Sequence, residues 1–315
     1  VFSRIVALAF ILNCQRRDSI KMAQEDYEMN VAIVTDSNSG IFEEEGKILG
    51  VHVIPMPVIL EGKTYYEGID LTHEEFYQCL EEKREVFSSQ PSPAEVLDMW
   101  DKLLLSEYDE LVYIPMSSGL SGSCQTAQVL AQDYEEKVQV VDNHRISVTQ
   151  RQSVLDALML KEKGCSAKEI KEALEQTAYE SIIYVGVETL EYLKMGGRVT
   201  PAGAAMGTLL SIKPLLVIAG ERLDAYTKVR GTKSCKKRLL MEMKTIADEF
   251  HKNSDEIYVG VAGSFGKKEE HQEWMEMAQE MFPWEDVKYD PLTFSISCHV
   301  GPGAFGMGIS RKIRI

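Results

Sequence analysis

The chain has 315 residues, of which 44% are apolar and 26% are charged, a composition typical of a globular protein with one large or two medium domains. Its 49 acidic residues outnumber its 34 lysines and arginines, and the net charge of −15 argues against the basic surface that a nucleic-acid partner requires. The 6 cysteines stand singly, without a C-x-x-C pair, which argues against a metal site or a disulfide framework and favours a cytoplasmic location.

Residues 1–28 lack the pattern of the segments that follow. The short apolar run within residues 1–12 is too short for a membrane span and fits a signal peptide poorly. We therefore expect residues 1–28 to be an N-terminal extension outside the folded core, and we expect no membrane span in the chain.

Strand-like and helix-like segments alternate along residues 29–178. Short β-branched runs predict the strands, and capping residues such as Thr72, Ser92 and Ser166 mark helix starts. The predicted strands are 30–35, 110–115 and 137–142, together with a strand region at 51–60 that two prolines break. The predicted helices are 73–80, 92–105, 122–132, 148–164 and 166–178. This alternation is typical of right-handed βαβ units, so we expect an N-terminal α/β domain over 29–178 with a parallel, doubly wound sheet.

The alternation becomes less regular after residue 178. The predicted strands are 181–187 and 256–263, with a hairpin around Gly220 and strand-like sequence at 292–300 and 304–309. The predicted helices are 188–195, 232–253 and 267–281. These elements predict a second α/β domain over 179–315, with a mixed sheet.

Three loops are rich in hydroxyl groups or glycine, and two of them directly follow strand-like runs. They lie at 87–92, 116–122 and 299–306. Loops at strand ends are where α/β proteins build ligand sites, and hydroxyl and backbone N–H groups donate hydrogen bonds to an oxyanion without adding charge. We therefore expect a carboxylate or a phosphate to bind in a crevice between strand ends.

The sequence lacks a recognisable nucleotide-binding loop. The G-x-G-x-x-G match at 301–306 lacks the helix and the distal acidic residue of a dinucleotide site, and there is no G-x-x-x-x-G-K-[ST] or G-x-S-x-G motif. Two residues keep more than one interpretation. Ser118 is a candidate ligand contact, helix cap or nucleophile, and His299 is a candidate ligand contact or a structural histidine.

Two arginines and one segment of small residues complete the candidate set. Arg198 follows the glycines that end a predicted helix, and Arg198 and Arg230 are each candidates to contact an anion or an acidic partner. The segment 201–216 is predicted to be a helix that either packs tightly or forms the wall of a narrow apolar tunnel. The tunnel candidates are Ala204, Ala205, Leu209 and Ile212.

Seven short motifs occur in order along residues 31–303. They are V-A-I-V-T-D-S at 31–37, S-S-Q-P-S at 88–92, S-S-G-L-S-G at 117–122, L-E-Y-L-K-M-G-G-R-V at 190–199, I-K-P at 212–214, K-V-R at 228–230 and H-V-G-P-G at 299–303. In number and order these motifs resemble the DegV family, which includes the fatty-acid-binding subunits of bacterial fatty acid kinase. The resemblance covers essentially everything after Met29.

The resemblance implies two α/β domains with a long-chain fatty acid in the cleft between them. It places the fatty-acid carboxylate on Ser88, Ser118 and His299, with the N–H of Gly119 nearby. The family usually has threonine at the position of Ser88. Arg230 resembles an arginine that the kinase-linked members use.

The predicted function is that of a lipid-binding carrier rather than an enzyme, without a cofactor or a metal. The carrier would hold a long-chain fatty acid in a buried apolar tunnel and present the carboxylate to a separate ATP-dependent fatty acid kinase subunit, which forms acyl phosphate for phospholipid synthesis. His299 and Arg230 would support phosphoryl transfer, and contact with a membrane surface would be transient. Two alternatives stay open, an acyl-ester or acyl-phosphate hydrolase that uses Ser118 or His299, and a lipid-responsive regulatory sensor.

Overall fold

The computed structural model describes residues 29–206 and 211–314 as an α/β fold with three sheets. The strands in chain order are β1 (Val31–Asp36), β2 (Val51–Ile54), β3 (Pro57–Leu60), β4 (Lys63–Tyr66), β5 (Val86–Ser88), β6 (Glu110–Ile114), β7 (Val138–Val140), β8 (Ser181–Gly186), β9 (Ile212–Ile218), β10 (Asp224–Arg230), β11 (Ile257–Gly263), β12 (Lys288–Pro291) and β13 (Phe305–Arg311). The α-helices are α1 (Glu43–Leu49), α2 (His73–Glu81), α3 (Pro93–Leu104), α4 (Ser123–Leu130), α5 (Val148–Glu162), α6 (Ala167–Gln176), α7 (Glu191–Gly196), α8 (Pro201–Ala205), α9 (Thr232–Lys252), α10 (Lys268–Met281) and α11 (Phe294–Val300).

The N-terminal sheet is parallel and has helices on both faces, as predicted. Its strand order is β2-β1-β6-β7, and every neighbouring pair is parallel. Successive side chains of β1 alternate between the faces. Val31 and Ile33 pack with α5 and α6, whereas Ala32 and Val34 pack with α3 and α4. Burial on both faces explains why β1 is apolar along most of its length rather than alternating with polar residues.

The C-terminal sheet is mixed, also as predicted. Its strand order is β10-β9-β8-β13-β11-β12, with β11 and β12 parallel and the other neighbouring pairs antiparallel. Helices α9 and α10 cover one face through a core that includes Leu239, Met243 and Trp274. The other face carries Ile183, Val185 and Ile218, which pack with residues of the N-terminal part such as Met116 and Ile146.

A third, small sheet interrupts the N-terminal part of the chain. The strands β4-β3-β5 are antiparallel and pack with α2, and we call this unit the cap. The strand region 51–60, predicted to be broken by two prolines, is two strands, because β2 ends at Ile54 and β3 begins at Pro57. Proline at 55 and at 57 removes backbone donors that a continuous ladder needs.

The cap packs against α11 of the C-terminal part. The rings of Phe76 and Phe294 stack with their centroids 4.1 Å apart. The Tyr77 hydroxyl donates to Ser264 Oγ at 3.0 Å, and a carboxylate oxygen of Glu67 accepts from the Phe294 N–H at 2.7 Å. The cap thus links the N-terminal chain segment to the helix that carries His299.

Two expectations about secondary structure are wrong. The segment 292–300 was expected to be strand-like, but Phe294–Val300 is helical, so His299 lies in a last helical turn. Apolar and polar residues alternate here as in a strand. The packing selects the helix, because Phe294 and Cys298, four residues apart, face the cap core.

The described residues of the segment 201–216 are helical only at Pro201–Ala205. Thr200 caps α8, which ends at Ala205, and Ile212 already belongs to β9. From Ile212 onward the chain is a strand, because β9 forms antiparallel hydrogen bonds with both β8 and β10. Leu209 lies outside the described residues.

Within residues 29–206 and 211–314, no helix is long and apolar enough to cross a bilayer. Residues 1–28, expected to be an extension, lie outside the described part. The division into domains at 178 and 179 stays a prediction.

Replacing Phe294 with alanine tests how strongly the cap is anchored. Loss of a fully buried, stacked ring is expected to lower the free energy of unfolding by about 3–5 kcal/mol. The measurement is urea denaturation of Phe294→Ala, with Leu105→Ala as the control because Leu105 is an exposed apolar residue. Equal stability of the two variants would contradict this account of the cap.

Candidate functional site

A cavity of about 350 Å³ lies between the N-terminal sheet, the C-terminal sheet and α11. Its wall is mostly apolar and includes Met116, Ile183, Val185, Ile218 and Ile296. Its polar lining residues form two groups. The head-group cluster consists of Ser88, Ser89, Gln90, Ser121, Arg198 and His299, and the inner polar group consists of Asn38, Ser147 and Ser295.

The head-group cluster is organised around a contact between Ser88 and His299. Ser88 Oγ and His299 Nε2 are 2.6 Å apart, although the two residues are 211 positions apart in sequence. Ser88 ends β5 of the cap, and His299 lies in the last turn of α11. Packing of the cap on α11 therefore assembles the pair that the family resemblance named.

The environment of His299 keeps its imidazole neutral. Burial, reinforced by the positive charge of Arg198, lowers the pKa of His299 from its usual value to about 4. Gly196 allows this close packing, since a Cβ at that position would lie 2.2 Å from His299 Nδ1. At neutral pH the ring therefore has one N–H and one acceptor nitrogen. Depending on the tautomer, Nε2 is either the donor or the acceptor in its contact with Ser88.

Arg198 connects two loops at the head-group cluster. Its Nε donates to the carbonyl oxygen of Leu120 at 3.1 Å, and its Nη1 donates to the carbonyl oxygen of Gly196. The guanidinium therefore fixes the 117–122 loop beside the end of α7, where Gly196 packs against His299. It also brings a permanent positive charge to the cavity wall. The contact of Arg198 with an anion or a partner stays a prediction.

The 117–122 loop turns different serines toward different neighbours. Leu120, Ser121 and Gly122 line the cavity, whereas Ser118 and Gly119 are not among its lining residues in the described part of the chain. The Ser118 N–H donates to Asp142, and a Cβ at Gly119 would lie 2.9 Å from Glu221 Cα. The carboxylate-binding role of Ser118 and Gly119 stays a prediction, and the cavity adds Ser121 as a candidate.

The hydrolase alternative names Ser118 or His299, but among the described residues no histidine forms a hydrogen bond with Ser118. His299 contacts Ser88 rather than Ser118, and no carboxylate of residues 29–206 or 211–314 forms an ion pair with His299. A serine nucleophile normally needs a histidine that a third group orients. Among the described residues there is also no cluster of His, Cys, Asp and Glu that could hold a metal.

The remaining candidates lie outside the cavity lining. Ala204 packs on the core beside the cavity, Ala205 is exposed, and Ile212 begins β9. Arg230 is exposed at the end of β10, where it pairs with Ile212. Within the described residues the apolar wall is built instead by β8, β9, α11 and β13, so the tunnel role of Ala204, Ala205 and Ile212 stays a prediction.

Sequence reasoning missed three polar residues of the cavity, namely Asn38, Ser147 and Ser295, and it assigned no carboxylate contact to Ser121 within the 116–122 loop. Ser121 stands beside serines that are equivalent in sequence, and only the start of α4 at Ser123 distinguishes it. Asn38 follows β1, where strand-end loops of parallel sheets carry ligand residues. That position was the available signal for Asn38.

Comparison with known proteins identifies the family. Residues 30–312 match the model of the DegV family, described as uncharacterised proteins, and the chain belongs to this family. A DegV domain-containing protein of Deinococcus radiodurans is 31% identical over 282 residues, which cover 89% of this chain and 98% of that protein.

Solved structures of the family have the same fold. A DegV family protein of Thermus thermophilus, described by its fatty acid binding, has a TM-score of 0.79 and 29% identity over 90% of this chain and 100% of its own. A stearic acid-binding protein of Eubacterium ventriosum has a TM-score of 0.78 and 25% identity over 90% of this chain and 98% of its own. DegV of Bacillus subtilis, described as a fatty acid binding protein, has a TM-score of 0.77 and 27% identity over 90% of this chain and 100% of its own.

The charge state of His299 is open to direct measurement. Nitrogen-15 NMR of histidine-labelled protein is expected to show His299 neutral at pH 6 and protonated only near pH 4. Arg198→Gln removes a positive charge and is expected to raise the pKa of His299, whereas Lys194→Gln, at an exposed position, is expected to leave it unchanged. An ordinary histidine titration in the unmodified protein would contradict the described burial.

Proposed function

We propose that this protein binds a long-chain fatty acid, with the carboxylate at the head-group cluster and the acyl chain in the apolar part of the cavity. The observation that carries the proposal is the Ser88–His299 contact at the polar end of a mostly apolar cavity. The family relatives from Thermus thermophilus, Eubacterium ventriosum and Bacillus subtilis, which are described by their binding of fatty or stearic acid, support it.

The head-group cluster supplies the donors that a buried carboxylate needs. A carboxylate removed from water is stabilised only when several hydrogen bonds or a counter-charge replace its hydration. The hydroxyls of Ser88 and Ser121, the imidazole of His299 and the charge of Arg198 lie on one part of the wall. A neutral His299 donates one hydrogen bond, and Arg198 balances the charge of the ligand.

The apolar wall supplies most of the affinity. Burial contributes about 0.8 kcal/mol per methylene, so an acyl chain of about 16 carbons contributes roughly 10 kcal/mol before the entropy of binding is subtracted. Methionines at 56, 116 and 307 line the cavity, and their flexible side chains adapt to the shape of a chain. Such a wall favours a fatty acid over a small carboxylate.

We further propose that the bound fatty acid is phosphorylated by a separate ATP-dependent kinase in the cytoplasm. A carboxylate oxygen would attack the γ-phosphorus of ATP, and the bond to ADP would break. His299 would lie beside the carboxylate. Arg230, exposed at the end of β10, would contact the kinase rather than the fatty acid. Brief contact with a membrane surface would load the carrier or release its product.

Serine substitutions distinguish which hydroxyls bind the carboxylate. Ser121→Ala and Ser88→Ala are expected to weaken palmitate binding at least about tenfold, because each removes a hydrogen bond to a charged group. Ser118→Ala, measured in parallel, tests the assignment made from the family resemblance. The measurement is displacement of a fluorescent fatty acid.

The control for these variants is Ser106→Ala, since Ser106 is exposed and is not among the residues that line the cavity. If Ser118→Ala loses palmitate binding and Ser121→Ala does not, the carboxylate contact in this loop belongs to Ser118 rather than to Ser121. Palmitate binding unchanged in all three site variants would contradict the proposed position of the carboxylate.

Arginine substitutions separate lipid binding from kinase coupling. Arg230→Ala is expected to keep palmitate binding but to lower kinase-dependent acyl-phosphate formation at least about tenfold, since an arginine at a protein interface contributes strongly. Arg222→Ala is the matched control, because Arg222 is also exposed. Normal lipid binding with no kinase stimulation by the unmodified protein would instead favour the lipid-responsive sensor.

A further inference from the structure

The cavity has a second polar region, formed by the inner polar group of Asn38, Ser147 and Ser295. Ser295 and His299 lie four residues apart on α11 and both line the cavity, so this group lies about 6 Å along the helix axis from the head-group cluster. A saturated acyl chain offers no hydrogen-bond partner to polar groups beside it. Their presence beside the chain needs an explanation.

Ser147 is the residue in this group whose hydroxyl is available. It is 8% exposed, lines the cavity and stands at the N-cap of α5, yet its side chain makes no capping bond, and its hydroxyl has no hydrogen-bond partner among the described residues. Its backbone has φ 54° and ψ −134°, a conformation that non-glycine residues rarely adopt. Its N–H donates to the carbonyl oxygen of Asn38 at 3.0 Å, which holds the strained turn in place.

The neighbours of Ser147 are already paired with one another. Asn38 Oδ1 accepts from Thr293 Oγ1 at 2.8 Å and from Ser295 Oγ, and Asn38 Nδ2 reaches only the weak acceptor Met116 Sδ at 2.9 Å. These hydrogen bonds therefore fix the orientation of the Asn38 amide. The Ser147 hydroxyl takes no part in them and is available to a ligand. Helix α5, which has 15 residues, begins at Val148 on the same wall and adds the positive end of its dipole.

The negative charge of Asp36 determines which kind of chemical group is compatible with the inner polar group. Asp36 accepts hydrogen bonds from the Asn38 N–H and from Gln150 Nε2 in the first turn of α5, each at 3.0 Å. Its carboxylate already balances the helix dipole, and a second carboxylate beside it would be repelled. A neutral oxygen, whether a hydroxyl that donates and accepts or a keto oxygen that only accepts hydrogen bonds, meets no such repulsion.

We propose that the inner polar group is a subsite for a hydroxyl or keto oxygen on the acyl chain, with Ser147 as its specificity-determining residue. The inference rests on the proposed binding of fatty acid in this cavity and deepens it. The preferred ligand class is then a fatty acid oxygenated at one position along the chain. Hydroxyls at other positions meet apolar wall and are penalised, because a buried hydroxyl without a partner is unfavourable.

The experiment compares palmitate with a set of monohydroxylated palmitates whose hydroxyl is placed at successive carbons. Dissociation constants are measured by displacement of a fluorescent fatty acid. One position is expected to bind about three- to tenfold more tightly than palmitate, which corresponds to one net hydrogen bond, and the other positions are expected to bind more weakly.

Two variants test the role of Ser147 itself. Ser147→Gly removes the hydroxyl and suits the backbone conformation, and Ser147→Ala removes it while keeping a side chain. For each variant, the dissociation constant of every hydroxylated isomer is divided by that of palmitate. In both variants we expect this ratio to be no longer lowest at one hydroxyl position. Ser254→Gly is the matched control, because Ser254 also has a positive φ, of 57°, but is exposed and is not among the cavity-lining residues.

The possible failures are distinguishable. If palmitate binds but every hydroxylated isomer binds more weakly, the inner polar group holds only water and the inference is wrong. A preference that persists in both Ser147 variants also contradicts it. If neither palmitate nor any isomer binds, the proposed function itself fails, and the inference fails with it.

Discussion

The site depends on one contact, the 2.6 Å approach of Ser88 Oγ to His299 Nε2. The two residues lie on elements that are far apart in the sequence, so only tertiary packing brings them together. Ser88 ends a strand of the cap, and His299 lies in a short helix near the C-terminal end of the chain. The stacking of Phe76 on Phe294 and the hydrogen bond from Phe294 to Glu67 bring these elements together. Packing of the cap is therefore required to assemble the contact between Ser88 and His299.

Burial at this contact also sets the chemistry of the cavity. A histidine that is removed from water and placed beside Arg198 stays neutral, so the cluster combines one permanent charge with several neutral donors. This combination suits a single carboxylate, whose charge Arg198 balances, better than a phosphate with about two charges. The glycine at 196 is part of the arrangement, since a side chain there would occupy the position of the imidazole.

Much of the fold could be predicted because its signals are local. Strand β1 is a buried β-branched run, and the capping boxes at Thr72, Ser92 and Ser166 are all present at the starts of helices. Helix α11 could not be predicted, because its sequence alternates like a strand and only packing against the cap selects the helix. In a segment of only seven residues, apolar side chains at every second position also recur at every fourth position. The apolar pattern therefore does not distinguish a strand from a helix there.

The candidate site could be predicted in part. The motifs named Ser88 and His299, and the structure brings them together. The sequence does not distinguish Ser118 from Ser121, since both are serines in the same glycine-containing loop and only the start of α4 decides which one faces the cavity. Ser147 carried no signal at all, because its importance lies in a backbone turn and an unpaired hydroxyl. Such features depend on tertiary structure rather than on residue type.

Mass spectrometry of the purified protein tests the central claim most directly, first under native conditions and then after denaturation and solvent extraction. The account predicts one long-chain fatty acid per chain, released on denaturation and regained when the empty protein is incubated with such acids. A protein that is isolated empty, and stays empty after incubation with long-chain acids, would contradict it.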